Sequence, residues 1–168
     1  FYLEKVDSTN SWARRAVETG PVPEGTIFAA GSQEGGRGRL GRTWVSPAGG
    51  LWFTVALIPT RPIAELGGLS LMAGLTAVNV LSAFVPGCRV KWPNDVYLGD
   101  KKIAGILLEM VRESDKISYV IAGIGVNVNN SAGSLPEGVA GKAISLRDCT
   151  GRLYSLNLIL TRFLKQLE

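Results

Sequence analysis

Residues 91–110 read KWPNDVYLGDKKIAGILLEM, and the elements they encode decide the fold. Residues 95–98 and 102–110 are rich in branched and aromatic side chains and flank the polar turn Gly99-Asp100, which predicts a β-hairpin. Upstream, residues 89–92 begin another strand that Pro93 interrupts, because proline has no backbone N–H to give to a ladder. Downstream, residues 116–124 form a further strand running into Gly125. Residues 26–32 and 51–58 add two more strands on the N-terminal side. Three helices complete the pattern. The first covers residues 10–19, with Asp7, Ser8 and Thr9 available as caps and Gly20-Pro21 as its end. The second covers residues 63–84. The third lies in the tail from Ser155, where Leu156, Ile159, Leu160, Phe163, Leu164 and Leu167 recur with helical period. Residues 33–47 and 127–142 read as loops. The expected fold class is α/β (α+β), a mixed and largely antiparallel sheet packed with helices.

The 168 residues suit one domain spanning 1–168. Hydrophobic residues make up 46% and charged residues 19%, which excludes a disordered chain. The most apolar stretch, 66–85, is broken by Gly67, Gly68, Ser70, Gly74, Thr76, Asn79 and Ser82, so it reads as a buried helix and not as a membrane span. Cys88 and Cys149 show neither pairing nor metal-ligand spacing, and the setting expected is cytoplasmic. Phe1 in place of Met, and a helical pattern still running at Glu168, read as a piece of a longer protein. The chain contains no histidine, which removes Ser/His and Cys/His nucleophile arrangements and histidine zinc sites. Any chemistry must rest on Lys, Arg, Asp, Glu and backbone groups. The net charge of +4 is focused: Arg37, Arg39 and Arg42 lie among glycines, and Lys91, Lys101 and Lys102 form a second cluster.

Four segments carry candidate chemistry. In Gly35-Gly36-Arg37-Gly38-Arg39-Leu40-Gly41-Arg42-Thr43-Trp44, glycines allow close backbone approach and guanidinium forks match carboxylate or phosphate oxygens. The competing reading is a solvated basic loop that binds RNA. In Lys91-Trp92-Pro93-Asn94-Asp95, a rigid turn presents Asn94 and Asp95, either to a metal ion or lysine or in ordinary turn roles. In Lys101-Lys102-Ile103-Ala104-Gly105, strand alternation sends one lysine inward and one outward without saying which. In Gly123-Ile124-Gly125-Val126-Asn127, strand glycines mark close approach by a ligand or another backbone, or a bulge.

Taken in this order, together with Ser8-Thr9-Asn10, the segments closely resemble those of the biotin protein ligases over nearly the whole chain. Leu40 departs from the pattern, standing where many members carry another arginine. The resemblance implies a fold related to class II tRNA synthetases and lipoyl ligases. It implies ATP-dependent activation of biotin to biotinyl-5′-adenylate with Mg²⁺, then transfer to a lysine of a biotin carboxyl carrier domain. By the same resemblance, Ser8, Thr9, Asn10 and Gln33 bind biotin, with Gly36, Gly105, Leu107 and Gly123 lining its pocket. Arg37, Arg39 and Lys102 meet the biotin carboxylate and the phosphates. Arg42, Trp44, Asn94 and Asn127 serve ATP, with Asn127 at the adenine. Asp95, and more weakly Glu109, stand near Mg²⁺, and Asp95 is a candidate proton acceptor in transfer. Lys102, Arg37 and Asp95 are the catalytic set.

Family members usually add a C-terminal β-barrel, and some add an N-terminal helix-turn-helix; both are expected to lie outside residues 1–168. A homodimer through sheet edges is expected, with no membrane and no nucleic acid as partners. The nearest alternative is a lipoyl or octanoyl ligase of the same fold, and a more distant one is a basic nucleic-acid-binding module. The Gly-Arg loop is expected to be mobile without ligand and ordered with it.

Overall fold

The computed structural model of the chain describes residues 1–60, 63–113 and 116–167. Seven strands form one sheet in the order β1-β2-β3-β7-β6-β5-β4. They are β1 (Tyr2–Val6), β2 (Thr26–Gln33), β3 (Leu51–Leu57), β4 (Cys88–Lys91), β5 (Asp95–Leu98), β6 (Lys101–Glu113) and β7 (Lys116–Val126). Only β1 and β2 run parallel, joined by α1 (Thr9–Thr19); every other neighbouring pair is antiparallel. The mixed, largely antiparallel sheet expected from the hairpins is therefore present. Two elements escaped the sequence reading: β1, whose four exposed residues carry no alternating pattern, and the short helix α3 (Leu146–Thr150).

The central strand β3 is buried on both faces, as its run Leu-Trp-Phe-Thr-Val-Ala-Leu requires. Leu51, Phe53 and Val55 point to one face, where α2 (Leu69–Ser82) and α4 (Leu156–Leu167) pack through Ala73, Ala77, Leu81, Ile159 and Phe163. The rings of Phe53 and Phe163 meet edge-on at 5.5 Å. Ala56 points to the other face, where α1 seats Ala13 against Phe28 and Ile121. Trp52 and Thr54 share that second face, which α1 covers only in part. The uncovered remainder becomes the cleft.

The predicted helix over 63–84 is two pieces, a 3-10 stretch Ile63–Gly68 followed by α2. The Gly67-Gly68 pair is a poor helix interior and marks the change. Helix α1 starts as predicted: extended Ser8 caps it by accepting from the Ser11 N–H at 3.4 Å. The 33–47 loop carries more backbone pairing than its composition suggested. Gln33 pairs with Ser46 and Arg37 with Thr43, and the Gly38 N–H donates to the Arg42 carbonyl at 2.7 Å. The loop is thus a narrow hairpin-like excursion whose tip holds Leu40 at φ 57.

Candidate active site

Strand register fixes the floor of the cleft. Residues opposite one another share a face, so Lys91, Asp95, Gly105, Gly125, Trp52 and Ala30 form one row across the sheet. The next row on this face contains Leu107, Gly123 and Thr54. The three glycines are flat spots that other groups fill. A Cβ on Gly125 would stand 2.6 Å from Trp44 Nε1, and one on Gly105 would stand 3.1 Å from the Trp44 ring. A Cβ on Gly123 would collide with the Asn10 amide. The glycines thus let Trp44 and Asn10 lie down on the sheet, and beside them opens a cleft of about 510 Å³.

One end of the cleft is neutral and hydrogen-bonded. Gln33 Oε1 accepts from the Thr9 N–H at 2.8 Å and from the Thr9 hydroxyl at 3.1 Å, while Gln33 Nε2 donates to Ser46 Oγ at 2.7 Å. The Thr54 hydroxyl stands 2.8 Å from Thr9 Oγ1 and 2.7 Å from Asn10 Oδ1, and its single proton serves one of them at a time. Thr9, Asn10 and Thr54 are all nearly inaccessible to solvent. Sequence reasoning missed Thr54 and Ser46. The signal for Thr54 was available, since it is the one polar residue in an otherwise apolar strand.

The other end is charged. Lys102 Nζ lies 2.6 Å from Asp95 Oδ1 and 4.9 Å from the centre of a Trp44 ring. Strand alternation could not tell which lysine faces inward, and a β-bulge is the reason. Asp95 pairs with Gly105 and Val96 with Ala104, but Tyr97 pairs with Lys102, leaving Ile103 unpaired. Unbroken alternation from Gly105 would put Lys101 on the cleft face. The extra residue instead turns Lys102 onto it, while Ile103 and Ala104 both enter the core. Asn94 is fixed by donating to the Ile106 carbonyl at 2.6 Å. Five cationic side chains line the cleft (Arg37, Arg39, Arg42, Lys91 and Lys102) against one carboxylate, Asp95. The cleft is therefore suited to an anion.

Most sequence-predicted residues converge here: Ser8, Thr9, Asn10, Gln33, Arg37, Arg39, Arg42, Trp44, Asn94, Asp95, Lys102, Gly105, Leu107 and Gly123 all line the cleft. Three do not. Gly36 sits in the loop stem, outside the cleft lining, where a Cβ would run into the Trp44 carbonyl oxygen, so the close approach of the two loop strands there requires glycine. Asn127 is buried and its amide oxygen accepts from Asn130 Nδ2 at 3.0 Å, so it ties the end of β7 to the following loop. Glu109 lies outside the main cleft and takes the Arg37 guanidinium at 2.9 Å. It is four residues along β6 from the partner of Asp95, roughly 13 Å away, which is too far to share a metal ion with Asp95. No group of three or more acidic, His or Cys side chains gathers anywhere among the described residues.

A model of the biotin/lipoate A/B protein ligase family matches residues 2–127. The chain belongs to that family. Within it the likeness is to biotin protein ligases. The ligase from Aquifex aeolicus, solved in complex with biotin and ATP, superimposes with a TM-score of 0.85 at 36% identity, covering 99% of this chain and 67% of that one. The bifunctional ligase/repressor BirA of Bacillus spizizenii is 37% identical over 90% of this chain and 47% of its own length. The biotin–[acetyl-CoA-carboxylase] ligase of Paracoccus denitrificans is 38% identical over 89% of this chain and 63% of its own. The chain thus spans about half to two-thirds of the length of these three relatives. No helix among its described residues is long and apolar enough to cross a membrane.

Proposed function

We propose that this cleft activates biotin with ATP, forming biotinyl-5′-adenylate, and passes the biotinyl group to a lysine of a biotin carboxyl carrier domain. The observation that carries this reading is the polarity of the cleft. A buried neutral network suited to an uncharged ring system faces a cationic end suited to carboxylate and phosphates. The ureido ring of biotin would meet Ser8, Thr9, Asn10 and Gln33, and its carboxylate would point to the Gly-Arg loop and Lys102.

The biotin carboxylate is already ionised at neutral pH, so the first step needs no base. One of its oxygens attacks the α-phosphorus of ATP, the P–O bond to the β-phosphate breaks, and pyrophosphate leaves. The opposing obstacle is repulsion between two anions. Lys102, Arg37 and Arg39 offset it, and Trp44 over Gly105 and Gly125 supplies a flat wall for the nucleotide side. Asp95, the carboxylate on the cleft wall, fits a Mg²⁺ ion carried by the phosphates, an ion usually held by one or two carboxylates plus phosphate oxygens. That ion would neutralise charge on the leaving pyrophosphate. In transfer, the carrier lysine attacks the mixed anhydride, AMP leaves, and Asp95 takes the lysine proton.

The two unpaired thiols, Cys88 and Cys149, support a cytoplasmic setting. The open sheet edges β1 and β4 support a homodimer. The lipoyl reading is less favoured because the relatives named above are biotin ligases.

The deciding test is exchange of labelled pyrophosphate into ATP with Mg²⁺. Exchange that requires biotin and ignores lipoate is expected. Exchange driven by lipoate, or none with either acid, would overturn the reading.

A further inference from the structure

Glu109 is a heavily engaged carboxylate beside the cleft, and its three partners come from two segments, the Gly-Arg loop and α1. Its Oε2 accepts from Arg37 Nη2 at 2.9 Å and from Asn10 Nδ2 at 2.8 Å, and Oε1 lies 3.8 Å from Arg14 Nη2 on α1. Asn10 Nδ2 also reaches the Leu107 carbonyl at 3.2 Å, and Asn10 Oδ1 meets Thr54 at the neutral end. The side chain is 19% exposed, so these contacts are shielded well enough to fix a geometry.

The place of Arg37 gives this cluster its meaning. Arg37 pairs through its backbone with Thr43, at the stem of the Gly-Arg loop, and not at the tip. Beyond the Gln33–Ser46 pairing at its root, the loop rests on the sheet through two side chains. One is Trp44 lying over Gly105 and Gly125; the other is Arg37, paired with Glu109. Between them hang Gly38, Arg39, Leu40, Gly41 and Arg42. Glu109 accepts from one nitrogen of the Arg37 guanidinium, which has five N–H donors in a rigid fork and keeps others for an anion.

We propose that Glu109 is a positioning residue: through Arg37 it anchors the stem of the Gly-Arg loop to the sheet and so sets where the loop arginines meet the anionic substrates. This rests on the adenylation reading above. Through Asn10, the same carboxylate links the loop to the neutral network, so the two ends of the cleft share one support.

The test uses the full chain and the variant Glu109→Gln, which keeps an acceptor for Asn10 but removes the charge that holds Arg37. Two quantities are read: the rate of tryptic cleavage after Arg39 and Arg42, and the split between kcat and KM in biotin-dependent exchange. Cleavage in the loop is expected to accelerate by about fivefold. The kcat is expected to fall by about tenfold with KM for biotin moving by less than about twofold, because a misplaced cation costs transition-state stabilisation more than ground-state binding. Should Glu109→Gln fail to fold, Arg37→Gln breaks the same pair from the loop side and must show the same local acceleration. Unchanged loop cleavage overturns the anchor; faster cleavage with unchanged kcat overturns the link to chemistry. A parent chain without biotin-dependent exchange refutes the adenylation reading instead, and leaves the cleavage rate to decide the anchor by itself.

Discussion

The two ends of the cleft are built on opposite principles. At the neutral end, Thr9, Asn10, Gln33, Ser46 and Thr54 bond chiefly to one another, and all but Gln33 are almost fully buried. At the charged end, Lys102 and Asp95 retain about a quarter of their side-chain exposure, and Arg39, Leu40 and Arg42 stand further out. A buried amide or hydroxyl left unpaired is costly, so a neutral site is best satisfied internally before its ligand arrives. Charged groups facing phosphates have the reverse requirement. Burying them without their counter-ions would be prohibitive, so they stay partly hydrated and hold each other in ion pairs until an anion replaces the partner. The two ends should therefore respond differently to substitution. Changes at the charged end should show in rate, and changes at the neutral end in stability and selectivity.

The largest effect expected is at the charged end. Lys102→Ala should lower the rate of biotin-dependent pyrophosphate exchange by about a hundredfold or more, the scale of losing one preorganised charge stabiliser. Its melting temperature should stay within a few degrees of the parent, because the group is partly exposed. A rate loss accompanied by wholesale unfolding would remove the contrast. Next comes the floor between the two ends. Gly125→Ala should push Trp44 off the sheet, since its new Cβ meets the indole at 2.6 to 3.3 Å. Overpacking of this kind costs about 1–3 kcal/mol, and ATP binding should weaken with it. Calorimetry of the variant with and without ATP would read both, and a variant that binds ATP as the parent does would show that the Trp44 wall is dispensable.

The sequence carried more of the charged end than of the neutral one. The Gly-Arg loop, Lys-Trp-Pro-Asn-Asp and the strand glycines are unusual compositions with few bland explanations, and they converge on the cleft. Thr54 and Ser46 are ordinary residues whose role exists only once β3 and the loop are brought beside α1. The bulge at Ile103 is likewise invisible to a period-two reading, because nothing local to Lys101-Lys102-Ile103 announces which residue goes unpaired. Asn127 shows the limit from the other side. An amide after a glycine-rich strand reads as a ligand donor, and nothing in that pattern announces its burial or the bond that its oxygen accepts from Asn130. The missed strand β1 has the same origin: it is an exposed edge, and its pairing with β2 is made by backbone groups that leave no side-chain pattern.

A smaller effect is expected at the neutral end. Thr54→Val keeps the shape of the side chain and removes its hydroxyl, leaving Asn10 Oδ1 without its donor. The cost should be about 1–3 kcal/mol, seen as a lower melting temperature, with the protection conferred by biotin reduced and kcat at saturating biotin little changed. If kcat falls and stability holds, the division between the two ends fails.

The smallest effect concerns a second ionic support next to the neutral end, besides Glu109. Asp7 precedes the cap of α1, and its backbone carbonyl accepts from the Gly35 N–H at the root of the loop. Arg15 grips its carboxylate with two bonds of 2.6 and 2.9 Å, and this hydrogen bonding holds the Asp7 carboxyl down at about 2, below the ordinary 3.8. A carboxyl depressed in the folded state stabilises the fold above its unfolded value and loses that contribution as pH falls from about 4 toward 2. Both side chains are about half exposed, so solvent screening limits the contribution to below about 1 kcal/mol. Arg15→Ala should therefore melt a few degrees below the parent between pH 5 and 8, with the gap closing under pH 4. A gap of undiminished size at pH 2.5 would mean that Arg15 acts through the packing of its aliphatic stem and not through its charge. In that case the ionic support of the neutral end would reduce to Glu109, which Asn10 reaches at 2.8 Å, and the contrast with the Lys102–Asp95 end would be sharper than the ion pair at Asp7 suggests.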